Sequence, residues 1–125
     1  VIQNILNILK KANIQYKMEY SIPGEYDGYP YRFDFAIFKD DKLVHLIEFD
    51  GEQHYKSGSG YMSQEVLQKR QERDKKKNEW ALTHNIPLVR IPYWERDNIT
   101  LGMLIGDKYL VGNKIVLRES GSPIS

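Results

Sequence analysis

LVHLIEFDGEQHY, residues 43–55, starts as a strand and ends as a cluster of chemistry-bearing side chains. Val, Leu, Ile and Phe give the first half its strand character. Alternation places Val44, Leu46, Glu48 and Asp50 on one face, and His45, Ile47 and Phe49 on the other. The first face therefore turns from apolar to acidic just before Gly51 breaks the strand. A little upstream lies a second apolar run with an acid inside it, Arg32-Phe33-Asp34-Phe35-Ala36-Ile37-Phe38. A carboxylate buried alone is costly, so Asp34, Glu48 and Asp50 on neighbouring strands point to a bound hard cation. If the two runs pair as an antiparallel hairpin with Asp34 opposite Glu48, the same register sets Ala36 opposite Leu46 and Arg32 opposite Asp50.

The bulk composition narrows the class. A chain of 125 residues with 41% hydrophobic and 28% charged residues reads as one soluble α/β domain over residues 1–125. The net charge of +1 makes no bulk polycation, so any nucleic-acid surface must come from local clustering. Without cysteine there are no disulfides and no zinc–thiolate sites. No apolar run is long enough for a membrane span and no signal peptide is visible, so a cytoplasmic protein is expected. The chain opens at Val1 directly in an amphipathic pattern, as a fragment of a longer protein would.

Working outward from residues 43–55, the elements follow. Ile2, Ile5, Leu6, Ile8, Leu9 and Ala12 fall at helical spacing and predict a helix over 1–12. Residues 14–20 alternate as a strand, and 21–30, rich in Pro, Gly, Asp and Tyr, read as a loop. Strands over 31–38 and 43–50 join through Lys39-Asp40-Asp41-Lys42 as a hairpin. A glycine-containing loop over 56–60 precedes a long charged helix over 62–84. Residues 88–91 form a short strand, Asp97 is the expected N-cap of a helix reaching about Ile105, and 114–117 reads as a last short strand before a frayed end at 121–125. The order is α-β-β-β-α-β-α, a mixed β-sheet flanked by helices.

At about 100° per residue, the long helix puts Val66, Trp80 and Ala81 on one face together with Arg70, Arg73, Asp74 and Lys77. Charge runs usually form solvated faces. Here the charges interrupt the face that must meet the sheet, whereas Lys75 and Glu79 point elsewhere.

These residues resemble the PD-(D/E)XK nuclease superfamily, whose pattern is an acid on one strand followed by an acid-x-residue pair on the next. Asp34 matches the first acid and Glu48-Phe49-Asp50 the second motif, with Asp50 in place of the usual lysine. The chain is more closely similar to the very-short-patch mismatch repair endonucleases and the phage homing endonucleases called EDxHD. Their strand Asp, Gly followed shortly by His, helical Arg-Asp pair and apolar strand correspond to Asp34, Gly51-Glu52-Gln53-His54, Arg73-Asp74 and Leu88-Val89-Arg90-Ile91. The resemblance covers residues 1–95. It departs in the first helix, where the EDxHD pattern has a Glu and residues 1–12 hold no acid.

The resemblance implies a restriction-endonuclease-like fold and a DNA endonuclease of homing or phage type, with a separate DNA-recognition domain elsewhere in the full protein. Asp34, Asp50 and Glu48 are the expected Mg²⁺ or Mn²⁺ ligands, with the Phe49 carbonyl as a further oxygen. His54, with an ordinary imidazole pKa of about 6.5, is the expected proton-moving group. Asp74 would hold its tautomer, and Arg70, Arg73 and Lys77 would grip phosphate or stabilise developing negative charge. Other readings stand beside this one. Glu48 could instead pair with a core-facing arginine such as Arg32. His45 and His84 read as structural, and Tyr93-Trp94 as either packing or a base-stacking pair. At the level of function the alternatives are a nuclease-like module that only binds nucleic acid or a protein partner, and a hydrolase of small phosphoesters.

Overall fold

In the computed structural model, residues 1–24, 28–51, 64–105 and 109–111 are described. They form α1 (Ile2–Lys11), β1 (Gln15–Ile22), β2 (Tyr31–Lys39), β3 (Lys42–Asp50), α2 (Gln64–Thr83), β4 (Leu88–Pro92) and α3 (Leu101–Ile105). Among the described residues the order is that read from the sequence, with one addition, a 3₁₀ turn at Tyr93–Glu95 between β4 and α3. The expected strand over 114–117 lies outside the described residues.

α1 buries Ile5 and Leu9, one turn apart on its apolar stripe. It ends at Asn13, whose φ of 57° is left-handed. Asn13 N–H donates to the Lys10 carbonyl and Ile14 N–H to that of Leu9, the paired bonds of a Schellman cap. α2 ends in the same way. Asn85 has φ 56°, its N–H reaches the Leu82 carbonyl, and Ile86 N–H reaches that of Ala81. Each cap turns the chain directly into a strand of the sheet.

The sheet runs β1-β2-β3-β4. β1 and β3 each pair antiparallel with β2, while β4 pairs parallel with β3. Asp40 and Asp41 have φ 52° and 63°, and Lys39 pairs with Lys42. That is the two-residue turn with two positive φ angles whose twist suits a hairpin. The expected register holds at Ala36↔Leu46. The Arg32–Asp50 pairing expected from it is not part of the ladder. On that side the ladder starts at Phe35↔Ile47, and Arg32 is exposed.

Helices cover both faces of the sheet, as a parallel strand pair requires. On one face α1, α3 and Leu110 pack on Phe35, Ile37, Ile47, Val89 and Ile91. On the other, Trp80 and Ala81 of α2 pack on Ile22, Tyr31, Phe33, Ala36, Leu46 and Leu88. β3 alternates as read from His45 on, with Leu46 facing α2 and Ile47 facing α1; at Val44 the ladder skips a residue, and Leu43 packs on the α2 side. β2 does not alternate throughout. Phe33 belongs to the α2 side and Phe35 to the α1 side, so the strand changes face at Asp34. β1 changes with it. Tyr16 packs on the α1 side and Tyr20 on the α2 side, with Glu19 between them at φ 47°. The ladder skips Glu19↔Asp34 and resumes at Tyr20↔Phe33. This switch frees the Asp34 carboxylate from an ordinary strand position.

Two helix expectations are corrected. α2 turns Leu67 inward rather than Val66, which is 49% exposed, and its buried residues Lys77, Trp80 and Ala81 lie in its second half. α3 is capped by Thr100, not Asp97: the Met103 N–H reaches Thr100 Oγ1 at 3.3 Å. Asp97 follows the 3₁₀ turn, where Asn98 N–H bonds the Glu95 carbonyl, and it is too early to cap the helix.

Candidate active site

The parallel ladder Glu48↔Arg90 and Asp50↔Pro92 brings the carboxyl ends of β3 and β4 side by side, the place where open α/β sheets hold ligands. Next to Glu48, across the hairpin, stands Asp34. Its N–H donates to Glu48 Oε1 at 3.2 Å, and its own Oδ2 accepts from Phe49 N–H at 2.7 Å. These crossed bonds replace backbone pairing at the face switch and hold the two acids together.

Glu48 is 6% exposed. Its other partner is Lys77 of α2, with Nζ at 3.0 Å from Oε1 and 4.9 Å from the centre of the Phe33 ring. Burial pushes the Glu48 carboxyl up to about 7; the Lys77 charge opposes this, Asp34 adds to it and Arg90 opposes it. Because the folded value lies above the ordinary 4.5, this group's contribution to stability is complete below that pH. It is lost as the pH rises to about 7, a change of about 3 kcal/mol. In the metal-free protein, the Glu48 side chain followed by carbon NMR is therefore expected to titrate near neutrality. A midpoint in the ordinary carboxylate range would contradict the burial argument.

Asp50, 8% exposed, faces Arg90. The guanidinium spends all three nitrogens: NH1 donates to Asp50 Oδ1 at 2.7 Å, Nε to Asn78 Oδ1 at 2.6 Å, and NH2 to the Asp74 carbonyl at 3.3 Å. NH2 also lies 3.5 Å from Asp74 Oδ1. Burial would lower the Arg90 pKa, but the carboxylates of Asp50, Asp74 and Glu48 outweigh it and the net shift is upward.

At the N-terminal side of this helix face, Arg73 donates to the Pro30 carbonyl at 3.2 Å. It lies 5.6 Å from the Tyr29 ring centre and 5.1 Å from that of Tyr31. Arg70 is exposed. His45 is structural, as read: Nε2–H donates to the Leu104 carbonyl at 2.9 Å, tying β3 to α3. Burial lowers its pKa against the opposing effect of that bond. His84 bonds the Trp80 carbonyl through Nδ1 and stacks on the indole at 4.2 Å.

The structure thus brings Asp34, Glu48 and Lys77 together, and joins Asp50 and Asp74 through Arg90. His54 lies outside the described residues, and with it the expected His54–Asp74 dyad. The buried-charge pairing open to Glu48 is made with Lys77 rather than Arg32. Lys77 is buried against Glu48 rather than lying at the surface. The expected ligand trio of Asp34, Glu48 and Asp50 is not gathered, because Asp50 is drawn to Arg90; among the described residues no group of three His, Cys, Asp or Glu side chains stands ready to hold a metal ion. Asp34 and Glu48 are the described pair that could offer donors to one. Their oxygens are hard donors, and their mutual repulsion is what a cation relieves.

Sequence reasoning passed over Arg90 and Asn78. The signal for Arg90 was a single charge inside the apolar strand LVRIP, which must find a partner when its neighbours are buried.

Among the described residues no helix is long and apolar enough to cross a membrane. No family model, no curated protein and no solved structure matches the chain.

Proposed function

We propose that this chain carries a metal-dependent DNA endonuclease site of the PD-(D/E)XK type on a restriction-endonuclease-like α/β sheet. The observation that supports it is the meeting of Asp34, Glu48 and Lys77 at the end of β3. A lysine absent from the position two residues after Glu48 is supplied from α2 instead. Mg²⁺ or Mn²⁺ held by Asp34 and Glu48 would polarise a phosphodiester and acidify a bound water. Lys77, fixed between Glu48 and the Phe33 ring, places a positive charge beside the same carboxylate, where negative charge on a phosphate would develop. His54 is the proposed proton carrier. Incubating supercoiled plasmid with the protein and Mg²⁺ or Mn²⁺ tests the reading. Nicked or linear product is expected, and no cleavage of any DNA form with either metal would overturn it.

Arg70 and Arg73 are the proposed backbone contacts. Arg73 is held between two tyrosine rings and a carbonyl, so its charge is presented at a set place. Arg70→Ala and Arg73→Ala are each expected to weaken DNA binding across all sequences and to reduce the salt slope of log K by about one. Fluorescence anisotropy over a salt series checks this. An unchanged slope in both variants would move the DNA surface away from α2.

One observation favours a second reading. Glu48 and Asp50 already carry Lys77 and Arg90 as counter-ions, as suits a nuclease-like module that binds nucleic acid or a protein without cutting. The cleavage assay separates the two.

A further inference from the structure

Arg90 holds an unusual position. It lies on β4 in register with Glu48, its side chain is 11% exposed, and each of its three nitrogens has a partner on another element. One partner, Asp50, ends β3; the other two, Asp74 and Asn78, stand one turn apart on α2. A planar fork that engages three acceptors fixes direction as well as distance, which a lysine ammonium does not. Lys77 lies between Asp74 and Asn78 in sequence and projects from the same stretch of helix onto Glu48. Rotating α2 by one residue, about 100°, would carry Lys77 away from Glu48 and break the guanidinium's bonds.

We infer that Arg90, anchored on Asp50, is a positioning residue that sets the rotation of α2 over the sheet and so delivers Lys77 to Glu48, and that Asp50 is this anchor rather than a metal ligand. The effect on cleavage rests on the nuclease reading; the clamp itself does not.

Three measurements on Asp50→Asn, Arg90→Lys and their double variant test it. The first is hydrogen exchange. Both single variants are expected to speed exchange of the amides of residues 74–83 by about tenfold or more, while α1 and β1 keep their rates. The second is Mn²⁺ affinity by paramagnetic resonance. Asp50→Asn is expected to stay within about threefold of the parent, whereas Asp34→Asn loses about tenfold or more. The third is kinetic. Both single variants are expected to lower kcat by about 10–100-fold with KM for DNA little changed, and the double variant to be no worse than the poorer single one, because both changes weaken the same Asp50–Arg90 contact.

Asn78→Ala, which removes only a half-buried acceptor, serves if Arg90→Lys does not fold, with the same exchange pattern expected at smaller amplitude. Loss of Mn²⁺ affinity in Asp50→Asn as deep as in Asp34→Asn would make Asp50 a ligand and overturn the assignment. Multiplicative kinetic losses, or unchanged exchange in 74–83, would overturn the clamp. A parent protein that neither binds Mn²⁺ nor cuts DNA would overturn the nuclease reading, and the exchange data would still decide the clamp.

Discussion

Asp34→Ala is expected to lower DNA cleavage by on the order of 10³-fold or more, because it removes a proposed metal ligand where the site stabilises transition-state charge. Asp34 does two things at once. Its carboxylate accepts the Phe49 N–H at 2.7 Å, and its backbone N–H holds Glu48 Oε1. Alanine keeps the second bond and loses the first, leaving one half-buried N–H to find water, a cost of about 1–3 kcal/mol. The fold should therefore survive, and thermal unfolding measured beside cleavage separates lost chemistry from lost structure. Asp34→Asn refines the test, since its side-chain carbonyl can still accept the Phe49 N–H while the negative charge is gone. If Asp34→Asn cuts as well as the parent protein, the charge at this position is not used and the proposed site is wrong.

The second large effect is on stability and changes with pH. Lys77→Met keeps most of the apolar stem against Phe33 but leaves Glu48 buried without its ammonium partner. Breaking a buried pair from one side leaves an uncompensated charge, and by pH 8, about one unit above the parent value, the extra loss reaches about 1.4 kcal/mol. The cost falls on the ionised carboxylate, so the sign follows from its titration. In the parent protein the Glu48 carboxyl already sits at about 7. Without Lys77, which opposes that rise, it moves higher still. Below the ordinary carboxylate pKa, Glu48 is neutral in both proteins and the variant should lie close to its parent. As the pH rises to about 8 the parent stops losing stability from this group, while the variant continues to lose it. Urea unfolding at about pH 5 and pH 8 is expected to show a gap that opens with pH. A gap of equal size at both would mean that the pair is not electrostatically coupled, and that Lys77 acts only by packing.

Much of the frame was legible because it depends on near neighbours in the chain. The stripe of Ile5 and Leu9, the Asp40-Asp41 turn, and the alternation that sends Leu46 and Ile47 to opposite faces are written in periods of about 3.6 and 2 residues. They could be read without knowing what packs on them. The identity of the acids was legible for a related reason: Asp34, Glu48 and Asp50 stand out as charges among apolar strand residues.

What neutralises those acids was decided only in three dimensions. Lys77 is 29 residues from Glu48, and Arg90 is 40 from Asp50. Whether either one meets its carboxylate depends on the rotation of α2 and on the parallel register of β4, and a change of one residue in either points the side chain elsewhere. Local pattern placed Val66 inward, and packing chose Leu67. Local pattern carried alternation through Asp34, and the left-handed Glu19 with the skipped ladder step turned both strands over at that point. Sequence alone determined which acids sit among apolar strand residues. The tertiary structure decided their partners, because a buried charge takes the counter-charge that packing brings within hydrogen-bonding reach, wherever it lies along the chain.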